Sequence, residues 1–342
     1  MKKIIELTKG SRLLYAIAII SIGIASFIAM VEPMVIRVTI DSIIGNKALN
    51  VPKPVENLVQ VLGGRETLGR NLWICSLILV SLTCVRGIFL YLKGKLSAQA
   101  AENMARNIRV RLYDHIQKLP YEYHIKSESG DLIQRCTSDV DTVRKFFALQ
   151  MVEIGRAVFI VTFAIVMMSS LNKKMTIIAM CIVPIIFIFS LIFFNKIQHN
   201  FIKADEQEGV LTSVLRENLT GVRVVKAFGR QNFEIEKYEK ENKKYKDSIY
   251  KIIYLMSNYW GMSDFLCTIQ IGLVLMSGIY FTVNGDISLG TLVVFITYET
   301  MLLWPVRQLG RILSDMGKMT VSMRRIWEIL HVPQGTEKIG RA

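Results

Sequence analysis

The sequence predicts an all-α membrane protein with six transmembrane helices and long helical extensions into the cytoplasm. Three observations lead there. Apolar residues make up 51% of the 342 and gather into six windows, each near the ~20 residues a helix needs to cross a bilayer. The connections between windows alternate between short turns and polar inserts of more than fifty residues. Those inserts have the composition of helices rather than of loops.

Taken in order, the first span covers about 13–36. The preceding residues 1–12, "MKKIIELTKGSR", mix basic and apolar positions and are expected to lie along the inner surface as an amphipathic elbow. No cleavable signal peptide is expected, because the apolar window runs past the usual length and no small-x-small site ends it. A loop over 46–70, with Pro52 and Pro54, leads to the second span, 71–92, which carries Arg86. Spans three (150–171) and four (175–195) are joined by "SSLNKKM". Spans five (262–283) and six (287–306) are joined by "VNGDISLG", and Glu299 falls inside the sixth.

Charge sets the expected orientation. Of the 42 Lys and Arg residues, 33 fall on the side that holds both termini and both long inserts, and six on the other. The positive-inside tendency makes the basic side cytoplasmic, so a multi-pass plasma-membrane protein with both termini inside is expected. The net charge of +14 is then explained without nucleic acid, and no nucleic-acid partner is expected. The five cysteines (Cys75, Cys84, Cys136, Cys181, Cys267) form no CxxC pair, so neither a disulfide framework nor a metal site is expected.

The cytoplasmic inserts, about 93–149 and 196–261, read as two hairpins. In "KGKLSAQAAENMARNIRVRLYDHIQK" (93–118), Leu96, Met104, Ile108, Leu112 and Ile116 recur at spacings near four. One helix over 71–118 would be ~70 Å long by helix rise, and the bilayer core takes only ~30 Å of that. Pro120 stops this helix, Tyr121–Lys126 forms a tip, "SESG" (127–130) turns, and 131–171 returns. The second insert is read the same way: 196–208 continues the fourth span, "GVLTSVLRENLTG" (209–221) forms a short helix between two glycines, and 222–256 returns.

Several stretches together resemble the transmembrane domain of exporter-type ABC transporters. These are "EPMVIRVTID" (32–41), "GDLIQRCTSDVDTV" (130–143), "ENLTGVRVVKAFGRQ" (217–231), "NGDISLGTLVVF" (284–295) and "RRIWEIL" (324–330). The resemblance covers essentially the whole chain. It rests on the order and spacing of the stretches rather than on any one motif. It implies that each hairpin tip carries a short coupling helix seated on a nucleotide-binding domain. By position, Tyr121, Tyr123 and His124 fall to the first tip, and Leu211, Val214, Leu215 and Glu217 to the second. It also implies a second transmembrane half, identical or not, and ATP with Mg2+ at the nucleotide-binding domains.

The sequence itself contains no G-x-x-x-x-G-K-[ST] loop to wrap phosphates, and no catalytic residues are assigned. Residues 331–342, "HVPQGTEKIGRA", are expected to begin a linker toward a nucleotide-binding domain, fused or separate. Ionisable and polar groups within spans are costly and usually face a cavity, so Glu299, Gln270, Arg86 and Trp304 are the candidates for a cavity wall. Trp304-Pro305 is expected to kink the sixth helix. Glu153 and Arg156 are read as a local ion pair, and Asp264 is placed at headgroup level. The expected function is the membrane-spanning half of an ATP-driven exporter of an amphiphilic small molecule, lipid or peptide. The alternative is an ATP-independent secondary transporter or a six-span receptor-like protein. It would be expected to show inverted repeats with broken half-helices, which are not evident.

Overall fold

The computed structural model describes residues 11–45, 67–68, 70–127 and 129–334. The expected elbow (1–12) falls almost wholly outside them, as do most of the loop 46–70 and the tail beyond Gln334. The described chain is helical. We number α1 Arg12–Val38, which continues as a wider π-helical turn over Thr39–Ile44. Then follow α2 Trp73–Gln117, α3 Tyr121–Lys126, α4 Ser129–Leu171, α5 Lys173–Met180, α6 Val183–Ala227, α7 Gln231–Val283 and α8 Leu289–Leu330. Six of these stretches, with α5 and α6 counted as one, are long and apolar enough to cross a membrane.

Helix continuity is the main feature. α2 runs 45 residues without proline and with only Gly87 and Gly94 inside it, so nothing in its sequence stops it at the lipid boundary. It ends where expected. Leu119 is buried, and Pro120, in extended conformation, starts the six-residue α3. α4 contains two wider π-helical turns, Arg135–Asp139 and Phe146–Gln150, which periodicity did not reveal.

Two expectations are corrected. The separate helix between Gly209 and Gly221 does not form: α6 passes through both glycines and continues to Ala227. A helical glycine costs only about 1 kcal/mol relative to alanine, too little to end a long helix. The turn comes instead at Phe228–Arg230, where Gly229 has φ of 64°, and the return begins at Gln231 rather than at 222. The fourth span is not continuous either. It breaks after Met180 and restarts at Val183, with Pro184 in the new first turn, a position that needs no amide donor. Pro305 sits inside α8, whose helical assignment is uninterrupted from Leu289 to Leu330.

The chain forms two compact units. The first comprises Met1–Met180, Ile271–Val306 and Asp315–Ala342; the second comprises Cys181–Gln270 and Arg307–Ser314. The first has a core in which Tyr15, Ala100, Ala101, Met104, Ala105, Ile108 and Leu112 pack with Phe146, Phe147, Met323 and Ile326. The alanines on α2 allow its neighbours a close approach.

At the opposite end of that unit, the wide turn after α1 carries Asp41 to the start of α8. There the Asp41 carboxylate accepts from the Gly290 amide at 3.0 Å and from the Ser288 hydroxyl. Ser288 itself caps α8 by accepting from the Thr291 amide at 3.1 Å. A carboxylate there complements the positive end of the helix dipole. A Cβ on Gly290 would lie 2.7 Å from the Asp41 carboxylate and 2.9 Å from the Arg37 carbonyl. Gly290→Ala is therefore expected to destabilise the protein by about 1–3 kcal/mol, the usual range for overpacking. A thermal midpoint in detergent indistinguishable from the parent's would show that the close approach is not required.

Candidate functional site

The first tip is built by Pro120, which lacks an amide donor and so ends α2's register and starts a new short helix. On α3, Tyr121 (76% exposed), His124 and Ile125 (68% exposed) project outward. Tyr123 turns inward against the hydrophobic core, its ring edge-on to His124 at 6.2 Å. Two of the three residues assigned to this tip thus face outward, and the third holds the tip to its support. Ile125 was not singled out from sequence, although its i,i+4 spacing from Tyr121 puts both on one face.

The second tip is the turn at Phe228–Arg230. Phe228 is 77% exposed. The residues assigned there from sequence sit on the leg of α6 instead, by helix rise about 15–24 Å back from Ala227. Leu211 and Val214 are half-buried, while Leu215 and Glu217 are exposed. Glu217 ties the two legs together, accepting from Lys237 Nζ at 2.8 Å, and Asn218 donates to Glu234 at 3.3 Å beside it. Nothing in "AFGRQ" distinguishes Gly229, which is left-handed here, from the helical Gly209 and Gly221.

The cavity candidates divide. Arg86 does not stand alone: its Nη1 lies 2.7 Å from Glu32 Oε2 on α1, and Thr83 Oγ1 is 3.4 Å from the other carboxylate oxygen. Both charged side chains are partly exposed, at 29% and 16%. Glu32 does not stand out as the partner of Arg86 in the sequence, because nothing in a single sequence joins positions 54 apart. Glu299, in the first unit, and Gln270, in the second, are fully buried, whereas Trp304 is 50% exposed. Glu153 pairs with Arg156 at 2.7 Å as read from sequence, and Lys93 joins them at 3.2 Å. Asp264 pairs with Arg307 at 2.7 Å.

On the side of the long extensions, a polar network binds α2, α4 and α8 in the first unit. Arg135 reaches Asp131 at 2.9 Å, Glu328 at 3.2 Å and the Arg325 carbonyl at 3.1 Å. Buried Asp139 accepts from Ser322 at 2.8 Å. Arg144 bridges Glu102 and Asp141. Hydrogen bonds from Lys145 and Arg144 hold the Asp141 carboxyl below the usual carboxylate range. His115 meets the Val332 carbonyl at 3.0 Å, fastening the end of α8 beside the first tip. No group of three or more His, Cys, Asp or Glu is placed to hold a metal among the described residues.

Six helices long and apolar enough to cross a membrane, several running far longer than a bilayer requires, define a multi-pass membrane domain. The chain belongs to the ABC transporter transmembrane region family, whose model matches residues 15–306. It is 23% identical over 303 residues to YknU, an uncharacterized ABC transporter ATP-binding protein of Bacillus subtilis, covering 89% of this chain and 48% of that one. It is 24% identical over 291 residues to a Staphylococcus aureus protein whose name assigns it provisionally to multidrug export as an ATP-binding/permease protein, covering 84% and 48%. The chain thus spans about half the length of these curated relatives.

The Glu32–Arg86 pair gives a direct test of intramembrane electrostatics. Arg86→Met leaves a carboxylate unpaired in a span and is expected to cost about 1–3 kcal/mol, below the range for a fully buried pair because both groups keep some exposure. Combining it with Glu32→Met is expected to recover most of that loss. A double variant less stable than the single, by thermal unfolding in detergent, would contradict the pairing.

Proposed function

We propose that this chain is the membrane-spanning half of an ATP-driven exporter. Two such halves, alike or different, enclose a pathway for an amphiphilic small molecule, lipid or peptide. Nucleotide-binding domains holding ATP and Mg2+ drive it, and both termini face the cytoplasm of a plasma-membrane protein. The observation that carries this reading is that α2 and α7 run unbroken from the apolar spans to exposed tips far beyond them. Extensions of this kind have no use in a carrier that works within the bilayer. They suit one whose power is generated elsewhere and delivered as movement.

Each tip offers what a protein–protein contact needs, an exposed anchor on a rigid support. At the first these are Tyr121, His124 and Ile125; at the second, Phe228 beside Arg230. ATP binding would clamp the nucleotide-binding domains together, and helices acting as levers would carry that closure to the spans, switching access from one side to the other. The relatives support an ATP-powered half of about equal length, since their names state ATP binding and this chain spans 48% of each.

The test is ATP hydrolysis by the full-length protein, or by its complex with separate ATP-binding subunits, in lipid vesicles. Vanadate-sensitive hydrolysis is expected. Replacing Tyr121, Ile125 and Phe228 together by alanine is expected to lower it at least fivefold without lowering the thermal midpoint. Hydrolysis unchanged in the triple variant would contradict the assignment of the tips.

A further inference from the structure

Pro305 deprives α8 of one amide donor, and its ring crowds the carbonyl of Met301. It is the point at which α8 bends at least cost. Two residues later α8 is gripped. Arg307 Nη1 lies 2.7 Å from Asp264 Oδ1, and the guanidinium stands 4.8 Å from the centre of the Trp260 ring. The Tyr259 hydroxyl donates to the Arg307 carbonyl at 2.8 Å and lies 3.0 Å from the Ser190 hydroxyl of α6. One turn on, a Cβ at Gly310 would fall 2.1 Å from the Phe194 ring, so only glycine lets α8 lie this close to α6.

The grip is local: its arginine side is buried, while the Asp264 side chain keeps 67% of its surface exposed. The Arg307 side chain is 10% exposed, and its Nε is buried with no hydrogen-bond partner. One carboxylate and one aromatic face hold this cation. Residues 289–306 and 315–330 of α8 belong to the first compact unit and 307–314 to the second, so the gripped segment begins two residues after Pro305. Tyr259, Trp260 and Asp264 all belong to α7, which starts at the second tip. From Gln231 to Asp264 that helix spans ~50 Å by its rise, with no proline.

Building on the proposed function, we infer that Arg307 is a positioning residue for export, the handle by which α7 turns α8 about Pro305. Movement of the second tip then reaches the span that carries Glu299 through Asp264, Trp260 and Arg307. Arginine suits the task because its planar head stacks and pairs at once; lysine keeps the charge but not the stack.

The experiment uses the full-length protein in lipid vesicles, with any separate ATP-binding subunit present and the five native cysteines replaced by alanine. A nitroxide is attached at exposed position 300, as Thr300→Cys, on the far side of Pro305. ATP hydrolysis and the change in nitroxide mobility on trapping with ATP and vanadate are read on the same sample. Arg307→Ala is expected to hydrolyse ATP within twofold of the parent while losing at least fivefold of the mobility change. Arg307→Lys is expected to recover part of it, and Asp264→Asn to resemble Arg307→Ala. A full mobility change in Arg307→Ala would overturn the inference, as would parallel loss of hydrolysis and mobility change in both Arg307→Ala and Asp264→Asn. A parent that neither hydrolyses ATP nor responds at position 300 would instead overturn the proposed function beneath it.

Discussion

A helix crossing lipid must satisfy its backbone hydrogen bonds internally, and nothing in α2, α6 or α7 breaks that ladder where the lipid ends. The rest of the structure depends on this constraint. Because the ladder continues, the polar segments beyond the spans inherit the stiffness of the apolar ones. Tips are then placed by helix length rather than by loop conformation. Breaks occur only where a residue enforces them, as at Pro120 and Gly229.

The two tips differ in how they are braced. The first is anchored to a packed core: Tyr123 and Leu119 point inward, and the network around Arg135, Asp139 and His115 fastens α4 and α8 to the same body. The second is a hairpin whose legs are joined by Glu217–Lys237 and Asn218–Glu234, set back along the legs from the turn. Surface pairs of this kind contribute little stability each. Their value is in register, fixing which face of α6 meets which face of α7 so that Phe228 projects outward. In the spans the polar contacts do comparable work: Asp41 caps α8, and Arg86 is neutralised by Glu32.

Much of the fold was legible in the sequence because its determinants are local. Hydropathy windows marked the spans, proline marked the end of α2, and helix-forming composition marked 93–117 as a rod. The failures have local causes too. Gly209 and Gly221 offer the same helix-ending signal as Gly229, but only Gly229 of the three turns left-handed, and sequence alone does not separate them. The break before Val183 hinged on Pro184 within a strongly apolar window, where hydropathy masks it. The site was less legible. The sequence places Tyr121 and His124 at the first tip, where both are exposed, but gives no sign that Ile125 and Phe228 are exposed too. The partners of Arg86 and Asp264 lie 54 and 43 positions away, and such pairings are decided by packing.

The most direct test of the central claim is hydrogen–deuterium exchange on the protein in lipid nanodiscs. Continuous rods require slow exchange through 93–117, 196–227 and 231–261, interrupted only near 118–120 and 228–230. Fast exchange spread across 93–117 or 231–261 would show that the extensions are not rigid, and movement at the tips could not then be carried to the spans.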